Sequence, residues 1–228
     1  MTAVCLERKP VIVQELNKLE SDYKNLLAEV EFERSLKSDH EVRHEKEIKQ
    51  MEQLKKGGDV DVHLKQTAQE SVDAWTEEAS QFKFSSKITE ADKQNDVKSL
   101  NRKLDKHLVL VVKQKVGKDS LYLLPQDLRQ DGETLRQTAE RVLKDACGSD
   151  VKAMIYGNAP FGFYKYKYPK HVRNENNSIG AKVFIYFARY QKGHLQSQND
   201  YKWLDRAELE DILPPEYNKS VSQMLIDE

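Results

Sequence analysis

Two cysteines in 228 residues are too few for a disulfide framework, and Cys5 and Cys147 cannot build a cysteine-based structural zinc site. Neither sign of charge dominates. The 37 Lys+Arg against 38 Asp+Glu leave a net charge of −1, which argues against a protein held to nucleic acid by its overall field. No apolar run approaches the roughly 20 residues of a membrane span, so a soluble chain is expected. Met1 to Pro10 has no stretch suited to a secretory signal, and Glu7 is out of place in an acidic-poor transit peptide, so no presequence is evident in this numbering. What remains is a polar chain, 33% charged and 38% hydrophobic, with a mean hydropathy of −0.78. That is rich enough in apolar residues to fold.

The two halves differ. Residues 1–100 hold 16 Lys+Arg against 21 Asp+Glu, a balance of −5, while residues 101–228 hold 21 against 17, a balance of +4. Aromatics divide 5 against 14. The expected organisation is therefore an acidic, helical N-terminal arm and connector over 1–100, followed by a globular domain over 101–228.

In the arm, Leu16, Leu19, Tyr23, Leu26 and Val30 recur at spacings of three and four, which lays one apolar seam along a helix. The seam fails at Glu33, too soon for a sustained coiled coil. Charges of both signs then continue to Gly57-Gly58. A single helix from Val13 to Lys56 would reach on the order of 60 Å. It could bury little against its own domain, and the seam predicts docking on a partner. His40-Glu41-Val42-Arg43-His44 spells H-E-x-x-H, a zinc-protease motif. Its charged flanks offer no dry cleft and no third ligand, so a solvated face and no metal are expected. A weaker helix is predicted over Val62–Phe82.

The second half reads as strands over His107–Lys113, Leu121–Leu124, Val151–Tyr156, Phe161–Tyr168 and Lys182–Tyr190. Helices are expected over Glu133–Cys147, Asp205–Leu213 and Glu216–Ile226. A sheet with interspersed helices is an α+β arrangement. Tyr164-Lys165-Tyr166-Lys167-Tyr168-Pro-Lys170-His-Val-Arg173 interleaves aromatic and basic residues. In a strand its tyrosines share one face and Lys165 and Lys167 the other. The stretch reads either as an RNA-facing strip that stacks bases and neutralises phosphates or as a half-buried strand with its tyrosines inward.

The stretch from Pro125 to Gly148, a strand, a loop closing on Gly132-Glu133 and a helix ending in glycine, resembles the box of the Nudix phosphohydrolases, G-x5-E-x7-R-E-U-x-E-E-x-G-U with U aliphatic. Glu133, Arg141, Leu143 and Gly148 match. Asp127 stands where the first glycine belongs, Val142 replaces the Glu after the Arg, and Asp145 and Ala146 occupy the Glu-Glu pair. In the family those helical carboxylates share one face, hold Mg²⁺ against a diphosphate and position water. One carboxylate stands here for three. The resemblance therefore implies a Nudix-like mixed sheet sandwiched by helices, with an N-terminal helical extension and without catalysis or a cofactor. Tyr201-Lys-Trp203-Leu-Asp-Arg-Ala-Glu208-Leu209 looks like the strand-then-helix that closes many such domains.

Longer strings narrow the likeness. Phe82-Lys-Phe84, Ile88-Thr-Glu-Ala-Asp-Lys-Gln-Asn95, Ser99-Leu-Asn-Arg-Lys-Leu-Asp105 and Leu108-Val-Leu-Val111 are similar to a Nudix-like family of mitochondrial large-ribosomal-subunit proteins, as are Gly157-Asn-Ala-Pro160 and Gly180-Ala-Lys-Val-Phe184. The resemblance implies a structural constituent of the mitochondrial ribosome, in the central protuberance of the large subunit, with other ribosomal proteins as partners and rRNA contacts open. It implies no small-molecule substrate and no membrane. The competing expectations are a residual hydrolase of a nucleoside diphosphate derivative, using Glu133 and Asp145, and a module that binds such a nucleotide without cleaving it.

Overall fold

A computed structural model describes residues 1–57, 67–117, 119–168, 173, 178–197 and 199–226. The chain divides into two compact units, one of Met1–Gln14 with Lys87–Glu228 and one of Glu15–Ser86.

The first unit is built on a mixed sheet. Its strands are β1 (Thr2–Arg8), β2 (Leu108–Val116), β3 (Asp119–Leu123), β4 (Gln126–Asp127), β5 (Lys152–Ile155), β6 (Gly162–Lys167), β7 (Gly180–Lys192) and β8 (Tyr201–Leu204). They run in the order β3-β2-β1-β7-β5, with β4 on β1, β6 on β7 and β8 on β2. All pairings are antiparallel except β1 with β7, which are parallel from Thr2↔Phe184 to Glu7↔Arg189. The helices are α4 (Glu90–Lys93), α5 (Leu135–Cys147), α6 (Arg206–Ile212) and α7 (Pro215–Ser222).

Strand alternation sends side chains to two cores. Val4, Leu6, Leu108, Leu110 and Trp203 pack with Ala139, Val142 and Leu143 of α5 on one face. Ala3, Cys5, Val109, Val111 and Ile185 pack with Leu209, Tyr217 and Val221 of α6 and α7 on the other. Each Val, Leu or Ile among them contributes about 1.5–3 kcal/mol on burial. This sandwich is the α+β class expected from the sequence.

The N-terminal boundary is not where composition puts it. Residues 2–8 fall in the arm by charge and aromatic content, yet every one of them is buried, and β1 lies at the centre of the sheet. The charged pair that ends it is absorbed by polar partners. Glu7 Oε1 lies 2.7 Å from His107 Nδ1, and Arg8 donates to the carbonyls of Arg102, Lys103 and Lys106 at 2.6, 2.9 and 3.1 Å.

Residues 87–100 likewise belong with the sheet. Trp203 N–H donates to the Val97 carbonyl at 2.7 Å. Arg102, 1% exposed, forks onto both carboxylate oxygens of Glu208 at 2.6 Å and onto the Trp203 carbonyl at 2.8 Å. Burial pushes the Glu208 carboxyl up, but bonds from Arg102 and Lys103 outweigh it and hold the pKa at about 2.

The second unit holds α1 (Lys18–Arg34), α2 (Asp39–Lys55) and α3 (Ala68–Gln81). The expected continuous helix from 13 to 56 is two helices. Ser38 caps the backbone of Glu41 while Glu41 returns to the Ser38 amide, so a fresh helix starts there and the first closes at Ser35. The same reciprocal box at Asn17/Glu20 starts α1 and at Thr67/Glu70 starts α3. The second expected helix is present as α3 from Ala68, and its expected first residues, 62–66, lie outside the described residues.

Candidate functional site

The box region is organised around one guanidinium. Gly132, with φ of +84°, turns the loop, and Thr134 caps α5 with Gln137 in a reciprocal box. Arg141, two turns into α5, then reaches back to the loop. Its Nε donates to Glu133 Oε1 at 2.8 Å, its Nη1 to Asp127 Oδ2 at 2.6 Å, and its Nη2 to the Leu128 carbonyl at 2.8 Å and Glu133 Oε2 at 3.2 Å. Glu133 Oε2 also accepts from the Gln130 amide and the Thr138 hydroxyl, both at 3.1 Å. Bonds donated by Arg141, with those of Gln130 and Thr138, hold the Glu133 carboxyl at about 2. A carboxylate so engaged is a poor proton acceptor at neutral pH.

The remaining box positions are not brought together. Val142 is buried under the sheet at 3% exposure, Ala146 is half-buried, and the Asp145 side chain stands 66% exposed with Oδ2 3.6 Å from Arg141 Nη1. The face expected to carry Val142, Asp145 and Ala146 is thus split between core and solvent. Among the described residues no group of three His, Cys, Asp or Glu is placed to hold a metal ion. Gly148 ends α5 at φ +86°, and an added Cβ would meet the Gln196 Cβ at 3.3 Å. Beneath it Cys147 is buried, which pushes its thiol up to about 12, far from the reactive range.

The aromatic and basic strip divides as its alternation predicts. Tyr164, Tyr166 and Tyr168 line a groove of about 690 Å³ with Lys113, Leu121 and Leu123, and Tyr164 meets Tyr217 edge-on at 5.1 Å. Lys165 and Lys167 are exposed. Arg173 Nε donates to the Tyr168 carbonyl at 2.5 Å. Lys170 lies outside the described residues.

In the helical unit the seam is uncovered. No residue of α1 is buried; Leu16, Leu19, Tyr23 and Leu26 are exposed by half or more, and Val30 is half-buried. In the H-E-x-x-H run Glu41, Val42 and Arg43 are exposed, as expected of a solvated face, while His40 and His44 are half-buried. Glu41 is spent on the Ser38 cap. His40 packs on Trp75 with ring centroids 5.1 Å apart, its Nε2 lying 3.1 Å from the Ala68 carbonyl oxygen. Sequence reasoning passes over Glu47, 4% exposed, which accepts from the Ala68 amide and from Arg43 Nε, each at 2.7 Å. It caps α3 from α2. Its one signal is the Arg43–Glu47 spacing of four inside a charged run.

Comparison with known proteins supplies the family. The model of the 39S mitochondrial ribosomal protein L46 matches residues 1–116. The large ribosomal subunit protein mL46 of Rattus norvegicus is 41% identical over 99% of this chain and 83% of its own length. The chain belongs to that mitochondrial ribosomal protein family. Its members place it in the mitochondrion, and the Bos taurus relative is 40% identical over the same shares of the two chains. Among solved structures, the dihydroneopterin triphosphate pyrophosphohydrolase of E. coli is 15% identical, covering 51% of this chain and 84% of that one with a TM-score of 0.40. No helix among the described residues is long and apolar enough to cross a membrane.

Proposed function

We propose that the chain is a non-catalytic, Nudix-like structural constituent of the mitochondrial large ribosomal subunit, seated in its central protuberance by contacts with neighbouring ribosomal proteins. Membership of the family supports the ribosomal assignment. The observation that carries the non-catalytic reading is the Arg141 knot, in which the Glu133 and Asp127 carboxylates are spent on holding a loop to a helix. The uncovered seam of Leu16, Leu19, Tyr23, Leu26 and Val30 is the surface we assign to a protein neighbour, because large apolar side chains left in water favour association.

Sedimentation of mitochondrial extract through a sucrose gradient tests the assignment. The chain is expected beside a large-subunit marker after a moderate salt wash, and a chain lacking residues 15–86 is expected to shift toward the top. Residues 1–14 must stay, since β1 is part of the sheet. A full-length chain found only at the top would overturn the ribosomal role. Mg²⁺-dependent hydrolysis of a nucleoside diphosphate derivative, lost on Glu133→Gln, would overturn the non-catalytic one.

A further inference from the structure

Strand β6 pairs through Gly162–Lys167 with β7, and its two faces differ in chemistry. Tyr164 and Tyr166 turn toward the groove beside α7. Phe163 and Lys165 turn the other way, directly across from Phe184 and Lys182 of β7. Two lysines therefore sit side by side in register. Among the described residues, no carboxylate pairs with Lys165, Lys167 or Lys182. The charges of Lys165 and Lys182 rest on aromatic rings instead. Lys165 Nζ lies 5.3 Å from the Phe163 ring centroid, and Lys182 Nζ lies 5.1 Å from the same ring and 4.8 Å from that of Phe184.

This arrangement is unfavourable twice over in the free chain. Like charges directly opposite in a sheet repel, and Phe163 leaves 53% of its surface in water. A partner that supplied anions at the lysines and a flat apolar surface at the ring would relieve both. An acidic peptide supplies only the first. A nucleotide chain supplies both, since every base has a π-face and every linkage a phosphate.

We propose that the Phe163–Lys165–Lys182–Phe184 face binds a single-stranded segment of RNA, its phosphates on the two lysines and a base against Phe163. Lys167, next on the same face, extends the basic run. The seat is indifferent to base identity, and it favours an unpaired loop over a duplex, whose bases are already stacked. The chain's near-zero net charge does not oppose it. At physiological salt charges beyond about 8 Å are largely screened, so the local charge matters more than the total. The inference rests on the ribosomal reading only in that RNA is then at hand.

Fluorescence anisotropy of the full chain with a labelled oligouridine decides it. Lys165→Gln with Lys182→Gln is expected to weaken binding about tenfold and to flatten the log–log salt slope by about 1.4, at about 0.7 for each phosphate no longer neutralised. Phe163→Ala is expected to weaken binding about fivefold with the slope unchanged. Lys18→Gln with Lys24→Gln on α1 is the control and should leave binding intact. The lysine pair is exposed, so its thermal melt should match the parent, and it decides the question even if Phe163→Ala fails to fold. Unchanged affinity of the lysine pair would overturn the proposal. So would displacement of the RNA by oligoglutamate at equal concentration, which would mark an acidic protein partner. A chain that co-sediments with the large subunit and gives either result keeps its ribosomal role and loses this face. A chain free of the subunit that still binds RNA through these residues does the reverse.

Discussion

The sheet unit and the helical unit solve the same problem differently. In the sheet unit, β1 is buried along its whole length between partners drawn from residues 108–127 and 184–189. In the helical unit, α1 buries nothing, and each helix starts on a capping box closed within four residues. One unit is held by contacts distant in sequence, the other by contacts close in sequence. Local caps determine where a helix begins, but a helix of this length draws most of its stability from packing its apolar face. The sheet unit carries its own core, while the apolar seam of α1 is exposed.

The sharpest way to break this contrast is at Arg102. Its guanidinium ties residues 87–107 to Glu208 and to the Trp203 carbonyl. Arg102→Ala leaves the half-buried Glu208 carboxylate with Lys103 as its remaining cation and frees the Trp203 carbonyl, which should cost about 3 kcal/mol. Denaturant melts should show the sheet unit's midpoint falling, while amide exchange in α1 to α3 stays as in the parent.

Acid should separate the units next. The Glu208 carboxyl is held at about 2 in the fold, below its unfolded value of about 4.3. A depressed carboxylate adds stability above the unfolded pKa, and that stability is lost as pH falls through the folded one. The melting temperature of the sheet unit should therefore decline between about pH 4.5 and pH 2. Glu208→Gln should flatten that decline while lowering the plateau at neutral pH.

The smallest effect belongs to Glu47. Glu47→Ala removes a side chain of α2 that caps α3. Hydrogen exchange at the Ala68 amide should speed by about tenfold, with the sheet amides unaffected. Spread of faster exchange into the sheet would show the two units to be coupled.

These differences track what is readable in advance. The helix from Leu135 to Cys147 and the sharing of one face by the tyrosines of β6 follow from periodicity, because their partners need only be some sheet face. The short run Thr2-Ala-Val-Cys-Leu6 carries a buried-strand signal too. Glu7 and Arg8 obscure it, since nothing nearby in sequence reveals that His107 and the 102–106 carbonyls satisfy them. His40 and Glu41 read as a metal motif because a four-residue spacing places two groups on one helix face whatever their use. Only Trp75 and the Ser38 cap show what that face does here. At β6 the split between tyrosines and lysines is visible along one strand, but Phe184 and Lys182 join it only across the register with β7.

By itself, then, the sequence determined the strand faces, the turn at Gly132 and the helix that ends at Gly148. Those depend on residues a few positions apart, whose geometry the backbone dictates. Tertiary structure decided that residues 2–8 form the centre of the sheet, that Arg141 consumes Glu133 and Asp127, and that two lysines and two phenylalanines from different strands share one exposed face. Those depend on chain segments as much as 180 residues apart, which are brought together by the burial of apolar surface, and burial is non-directional until a whole sheet is assembled.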